Sequence, residues 1–178
     1  TSIRLVDDQG ADVPRDGQTP GEILVRSEAN MVGYWRRPDL TEKTIRNGWM
    51  HTGDIATWDE EGYIFIVDRA KDMIISGGEN IYSTQVEAAL HQHPAVLEAA
   101  VFGVPDDEWG EAVKAAVVLK PGMEASAEDI IATASKHLAS YQKPRSIDFV
   151  ASLPKAPTGK ILKRELRDPY WKGRDAKV

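Results

Sequence analysis

Lys160 is the residue whose setting most suggests chemistry. It follows Pro157-Thr158-Gly159 in a loop that opens at Pro154. A loop of that composition lets a cation come close to a ligand and withdraw again. It is not a Walker phosphate loop, because no Gly stands five residues before Gly159 and Ile161 sits where Ser or Thr would bind magnesium. Other candidates are Asp54 after Gly53, Arg69 within Asp68-Arg69-Ala70-Lys71-Asp72, and the run Ser76-Gly77-Gly78-Glu79. Each also has a plain reading. Lys160 could be a solvated surface lysine, Asp54 a turn residue, and Arg69 one half of a surface ion pair with Asp68 or Asp72. Gly77 and Gly78 could serve only a tight turn. His91 and His93 are two apart and point to different sides of a helix, which argues against a shared metal. His51 and His137 have no partner that sequence can identify, and the tryptophans read as core or anchoring aromatics.

Composition narrows the field. There are no cysteines, so thiolate catalysis, disulfides and thiolate metal sites are excluded, and a cytoplasmic location is expected. Hydrophobic residues are 42% and charged residues 28%, the balance of a folded globular chain rather than a disordered one. A net charge of −6 argues against general nucleic-acid binding. The tail from Lys160 to Val178 is the local exception, with seven Lys or Arg against three Asp or Glu, which suits an anionic ligand or a solvated surface. No apolar run approaches the roughly 20 residues of a membrane span. The start at Thr1-Ser2-Ile3-Arg4 reads as a strand entered midway, so a truncated or processed chain is expected.

The elements that must position these residues fall into two blocks. Residues 1–67 read as a small β-rich subdomain. Strands are expected at 3–6, 21–26, 55–58 and 63–67, with a hairpin at Asp59-Glu60-Glu61-Gly62 and a helical turn after Pro38. Residues 68–72 are a charged linker. Residues 73–178 read as a compact domain, a three-stranded sheet (96–104, 112–119, 146–150) covered by helices. One helix is expected to open on a capping box, Thr84-x-x-Glu87, and to stop before Pro94; a second opens at Ser126-x-x-Asp129. A short last helix is expected at 162–167. The fold class is therefore α+β.

Four segments in order resemble the adenylate-forming superfamily, which includes acyl-CoA synthetases, luciferases and peptide-synthetase adenylation domains. They are Gly21-Glu22-Ile23-Leu24-Val25 through Gly33-Tyr34-Trp35, then Gly48-Trp49-Met50-His51-Thr52-Gly53-Asp54, then the run from Asp68 to Ile81, then Pro154-Lys155-Ala156-Pro157-Thr158-Gly159-Lys160-Ile161. The Gly77-Gly78-Glu79-Asn80 form and the segment Leu138-Ala139-Ser140-Tyr141-Gln142-Lys143-Pro144 look more like acyl-CoA synthetases. The family's upstream Ser/Thr/Gly/Lys phosphate loop does not occur in these residues.

The resemblance implies a two-step reaction using ATP and coenzyme A, with magnesium held by ligands outside this chain and no metal site within it. Lys160 would be the adenylation lysine, its cation stabilising the reacting phosphoryl oxygens. Asp54 would take both ribose hydroxyls of the nucleotide, one on each carboxylate oxygen. Arg69 would contact ribose or phosphate through its donor fork. Lys71 would be the hinge about which 73–178, a mobile C-terminal lid, swings. Ser76, Gly77, Gly78 and Glu79 would face coenzyme A, the glycines leaving room for a narrow pantetheine. The expected partners are a carboxylic acid, with a lean to a fatty acid, and the missing N-terminal domain. Apolar surface left bare on 1–67 would favour self-association. The alternative is a non-catalytic module that binds adenylate weakly or docks on a partner.

Overall fold

The alternation Ile3-Arg4-Leu5-Val6 builds β1 (Ser2–Val6), which pairs antiparallel with β2 (Gly21–Arg26) in the computed structural model, where residues 1–174 are described. The chain divides into two units, Thr1–Lys71 and the residues from Asp72 on.

In the first unit, β2 pairs with the long β4 (Trp49–Trp58). The other side of β4 carries the two-residue β3 (Ile45–Arg46) and then β5 (Ile64–Arg69). A helix, α1 (Pro38–Thr44), leads into β3 with Pro at its first turn, where a missing N–H costs nothing. Strand β4 begins six residues earlier than the run 55–58 suggests. The reason is Asn47-Gly48: both are left-handed, at φ 51° and 76°, and they fold β3 onto β4 as a tight hairpin. The core is Leu5, Val13, Ile23, Ala56 and Trp58, and the Trp58 indole N–H donates to the carbonyls of Val13 and Pro14 at 3.2 and 3.0 Å.

In the second unit, β9 (Gly110–Leu119) is central. It pairs antiparallel with β8 (Val96–Asp106) on one side and parallel with β10 (Ser146–Phe149) on the other. These are the three strands expected. A short hairpin, β6 (Ile74–Ser76) and β7 (Glu79–Ile81), adds two more to the sheet through Ser76 and Gly110. Both faces of the sheet are covered, which explains why β8 and β9 read as unbroken apolar runs. Ala99, Val101, Val113, Ala115 and Val117 pack with α2 (Ser83–Leu90) and α3 (Ala127–Ala134), while Ala100, Phe102, Ala116 and Val118 pack with Leu153, Ile161 and Leu166.

Two sequence expectations need correction here. The capping box at Thr84 and Glu87 does not form. Helix α2 begins at Ser83, its N-cap is Tyr82 with no side-chain cap, and Glu87 reaches elsewhere. Ser126 does cap α3, its Oγ accepting from the Asp129 N–H at 3.1 Å. In the charged run 68–72, Asp68 and Arg69 close β5, and 70–72 form one 3₁₀ turn. The last helix, α4 (Lys163–Trp171), runs four residues beyond Arg167. The end of the basic tail, residues 175–178, lies outside the described residues.

Candidate functional site

Asp54 and Arg69 face each other across the β4–β5 ladder, and Arg69 Nε lies 3.0 Å from Asp54 Oδ1. Asp68, the sequence neighbour, points the other way. It is 5% exposed, and its Oδ1 accepts from the Arg69 N–H at 2.7 Å. So Arg69 pairs with neither Asp68 nor Asp72, the two partners sequence offered. The side chains of Arg69 and Asp54 are 44% and 31% exposed, so solvent and ligands can reach both. Asp54 keeps a second oxygen and Arg69 keeps its terminal NH2 groups. That donor and acceptor set fits a nucleotide ribose and phosphate.

The strand segment before Asp54 is held by residues that lie within the quoted motifs but were assigned no role from sequence. Gly53 is left-handed at φ 71°, with open space where a side chain would stand. Its N–H donates to Glu22 Oε1 at 3.1 Å, and Glu22 Oε2 lies 2.7 Å from His51 Nδ1. Thr52 Oγ1 donates to the Ile23 carbonyl at 2.9 Å and accepts from the Asp54 N–H at 3.1 Å. His51 thus has a carboxylate partner. No local signal could have found it, because Glu22 lies 29 residues away and meets His51 only through β2–β4 pairing.

Lys160 sits near the end of a small closed loop. Lys155 and Ile161 form an antiparallel bridge. Inside it, the Ala156 N–H donates to the Lys160 carbonyl, and the Gly159 N–H to the Ala156 carbonyl, both at 2.8 Å. Gly159 is left-handed at φ 84°. Lys160 is exposed, and among the described residues no acidic side chain lies within ion-pair distance of it. An unneutralised cation on a short, hydrogen-bonded loop suits a polyanionic ligand.

Ser76 and Glu79 are paired at the turn end of the β6–β7 hairpin, with Gly77 and Gly78 as its two-residue turn at φ 60° and 85°. Positive φ at both turn residues is what a type I′ hairpin demands. The glycines differ in surroundings. A side chain on Gly77 would meet Trp109 Cε3 at 2.7 Å, whereas at Gly78 the space is open. A cavity of about 340 Å³ adjoins the hairpin, lined by Ile75, Trp109, Glu111, Trp171 and Arg174 among others. Burial pushes the Glu111 carboxyl above the usual range, although the Ile75 N–H lowers it in part. Lys71 is exposed in the 3₁₀ turn at the boundary of the two units. Among the described residues there is no group of three or more His, Asp or Glu arranged to hold a metal, and no helix long and apolar enough to cross a membrane.

Residues 85–160 match the AMP-binding enzyme C-terminal domain. The chain is 48% identical over 169 residues to a long-chain-fatty-acid–CoA ligase of Escherichia coli, covering 94% of this chain and 29% of that protein. It is 45% identical over 168 residues to the fatty acid–[acyl-carrier-protein] ligase ScoC of Streptomyces coeruleorubidus, covering 94% and 32%. Among solved structures, ATP-bound MatB from Rhodopseudomonas palustris superposes with a TM-score of 0.88 at 36% identity, covering 95% of this chain and 34% of that one. The chain therefore spans about a third of the length of the curated relatives it matches.

Proposed function

We propose that this chain is the C-terminal part of a cytoplasmic, ATP-dependent acid–CoA ligase of the AMP-binding, adenylate-forming family, acting on a fatty acid. The observation that carries this reading is Lys160: an exposed cation without an acidic partner among the described residues, on a closed loop at the end of the matched domain. The fatty acid is supported by the named ligases of similar sequence.

In the first half of the reaction the substrate carboxylate attacks the α-phosphorus of ATP. The bond to the bridging oxygen breaks and pyrophosphate leaves. Negative charge meets negative charge, and Lys160 stabilises the oxygens where charge builds up. Asp54 accepts hydrogen bonds from the ribose hydroxyls, and Arg69, oriented by Asp54, donates to ribose or phosphate. In the second half the thiol of coenzyme A attacks the acyl carbon and AMP leaves. Lys71 is the hinge for a C-terminal lid beginning near residue 73. One orientation of the lid brings in Lys160; the other brings in Ser76, Gly77, Gly78 and Glu79, with coenzyme A along the open side of Gly78. Magnesium is held by residues outside this chain. Without the rest of the protein, bare apolar residues of 1–67 such as Val32, Trp35 and Ile66 favour self-association.

The test is a full-length enzyme carrying this chain, assayed with ATP, coenzyme A and a panel of fatty, aromatic and short-chain acids. Acid-dependent ATP–pyrophosphate exchange and thioester formation are expected, strongest with fatty acids. Asp54→Ala should raise KM for ATP about 10- to 100-fold, the loss of charge-assisted hydrogen bonds, and leave KM for the acid little changed. Absence of exchange with every acid contradicts the proposal.

A further inference from the structure

Lys163 lies three residues beyond Lys160 in the sequence and opens α4. A cation in the first turn of a helix opposes the macrodipole, so something else must hold it there. Its Nζ lies 2.7 Å from Glu87 Oε1 and donates to Ser83 Oγ at 2.7 Å. The site is largely enclosed: Ser83 is 0% exposed, and the side chains of Lys163 and Glu87 are 15% and 18% exposed. Glu87 Oε1 also accepts from the Val101 N–H at 2.8 Å. One carboxylate thus joins α2, β8 and α4 just after the lysine loop. Before the loop, Lys155 pairs with Glu98 of β8, and the Leu162 N–H donates to the Pro154 carbonyl at 2.8 Å. Ile161 packs into the apolar cluster of Phe102 and Leu153.

Both stems of the loop are therefore fastened to the same sheet, the second also to α2, while residues 157–160 stay exposed. An enclosed ion pair is a weak source of stability, since an apolar pair of the same volume serves as well. What charge and hydrogen bonding add is a fixed direction. Misplacement of a reacting group by 1 Å can cost about 100-fold in rate.

We propose that Glu87, Lys163 and Ser83 form a clamp whose task is to position Lys160, making Glu87 and Lys163 positioning residues for the adenylation half-reaction. This rests on the reading of Lys160 as the adenylation lysine. The clamp makes the loop part of the rigid second unit, so that Lys160 is aimed by the unit rather than by loop motion.

The experiment compares Glu87→Gln, Lys163→Met, their double variant and Lys160→Ala in the full-length ligase, alongside hydrogen exchange of loop amides. Gln keeps an oxygen for the Val101 N–H, and Met keeps the length of Lys. Each single variant is expected to lower kcat for acyl-AMP formation about tenfold, with KM for ATP and thioester formation from supplied acyl-AMP within about twofold. The double variant should lose no more than the worse single, because both break one contact. The Gly159 and Leu162 amides should exchange faster, and those of Ala115 and Val117 should not. Unchanged adenylation in both single variants, with Lys160→Ala inactive, overturns the clamp and leaves the role of Lys160 standing. Adenylation that survives Lys160→Ala refutes the catalytic reading instead, and the loop amides then decide the clamp alone. Equal losses in both half-reactions, with faster exchange throughout β8 and β9, mean an ordinary fold contact and overturn the positioning role.

Discussion

Arg69 touches Asp54 through one Nε–Oδ1 contact, and the identity of that partner was hidden from sequence. The residue types and their motif were legible; the pairing was not. Along a strand, Asp68 and Arg69 must point to opposite faces, so the nearest carboxylate in sequence is the wrong one. Asp54, 15 residues away, becomes the neighbour through the β4–β5 register. Glu87 shows the same effect. Its spacing from Thr84 satisfies a local capping rule, but Lys163 and the Val101 N–H are stronger partners and lie far along the chain. Glu111 gives a prediction at this scale. Burial raises its folded pKa above the ordinary 4.5, so the fold holds a proton more tightly than the unfolded chain does. Its contribution is therefore most favourable below 4.5 and declines as pH rises through the folded value. Glu111→Gln, which keeps an acceptor for the Ile75 N–H, should raise the melting temperature at neutral pH and have less effect at pH 4. A lower melting temperature at neutral pH contradicts this.

At the scale of elements, strands with two covered faces and helices with an apolar stripe were readable, because their patterns are local. The ends were less so. Strand β4 extends back to Trp49 because Asn47-Gly48 turns the chain, a hairpin signal present in the sequence but unused. Helix α4 extends past Arg167 and contains Pro169, which local rules would place after a helix end. Tertiary contacts hold its last turn: Tyr170 Oη donates to Asp148 Oδ2 at 2.7 Å, and the Trp171 indole donates to the Gly103 carbonyl at 3.1 Å. Asp148 also receives the Lys114 ammonium at 2.8 Å, and Lys114 is 7% exposed. That ammonium holds the Asp148 carboxyl below the usual range. Asp148→Ala should therefore lower unfolding free energy by about 1–2 kcal/mol, less than a fully enclosed pair would lose. Half of Asp148 faces solvent, and Lys114 keeps Ser146 Oγ at 3.1 Å. A denaturant midpoint equal to that of the parent chain would count against this docking role for α4.

For the whole molecule, the chain divides into two compact units, Thr1–Lys71 and the residues from Asp72 on. Motion between them is the proposal that follows from the hinge reading. A proline at position 71 fixes φ near −65°. Lys71→Pro should slow thioester formation from supplied acyl-AMP about tenfold or more, a loss confined to the step after closure, and spare acyl-AMP formation. Normal thioester formation in that variant would remove Lys71 as the pivot.

The most direct measurement is Lys160→Ala in the full-length ligase, with each half-reaction followed separately. Acyl-AMP formation from acid and ATP should fall about 100- to 1,000-fold, the usual cost of losing a group that stabilises transition-state charge. Thioester formation from supplied acyl-AMP should stay within about threefold of the parent enzyme. Equal losses in the two halves, or adenylation at the parent rate, would contradict the role assigned to this lysine.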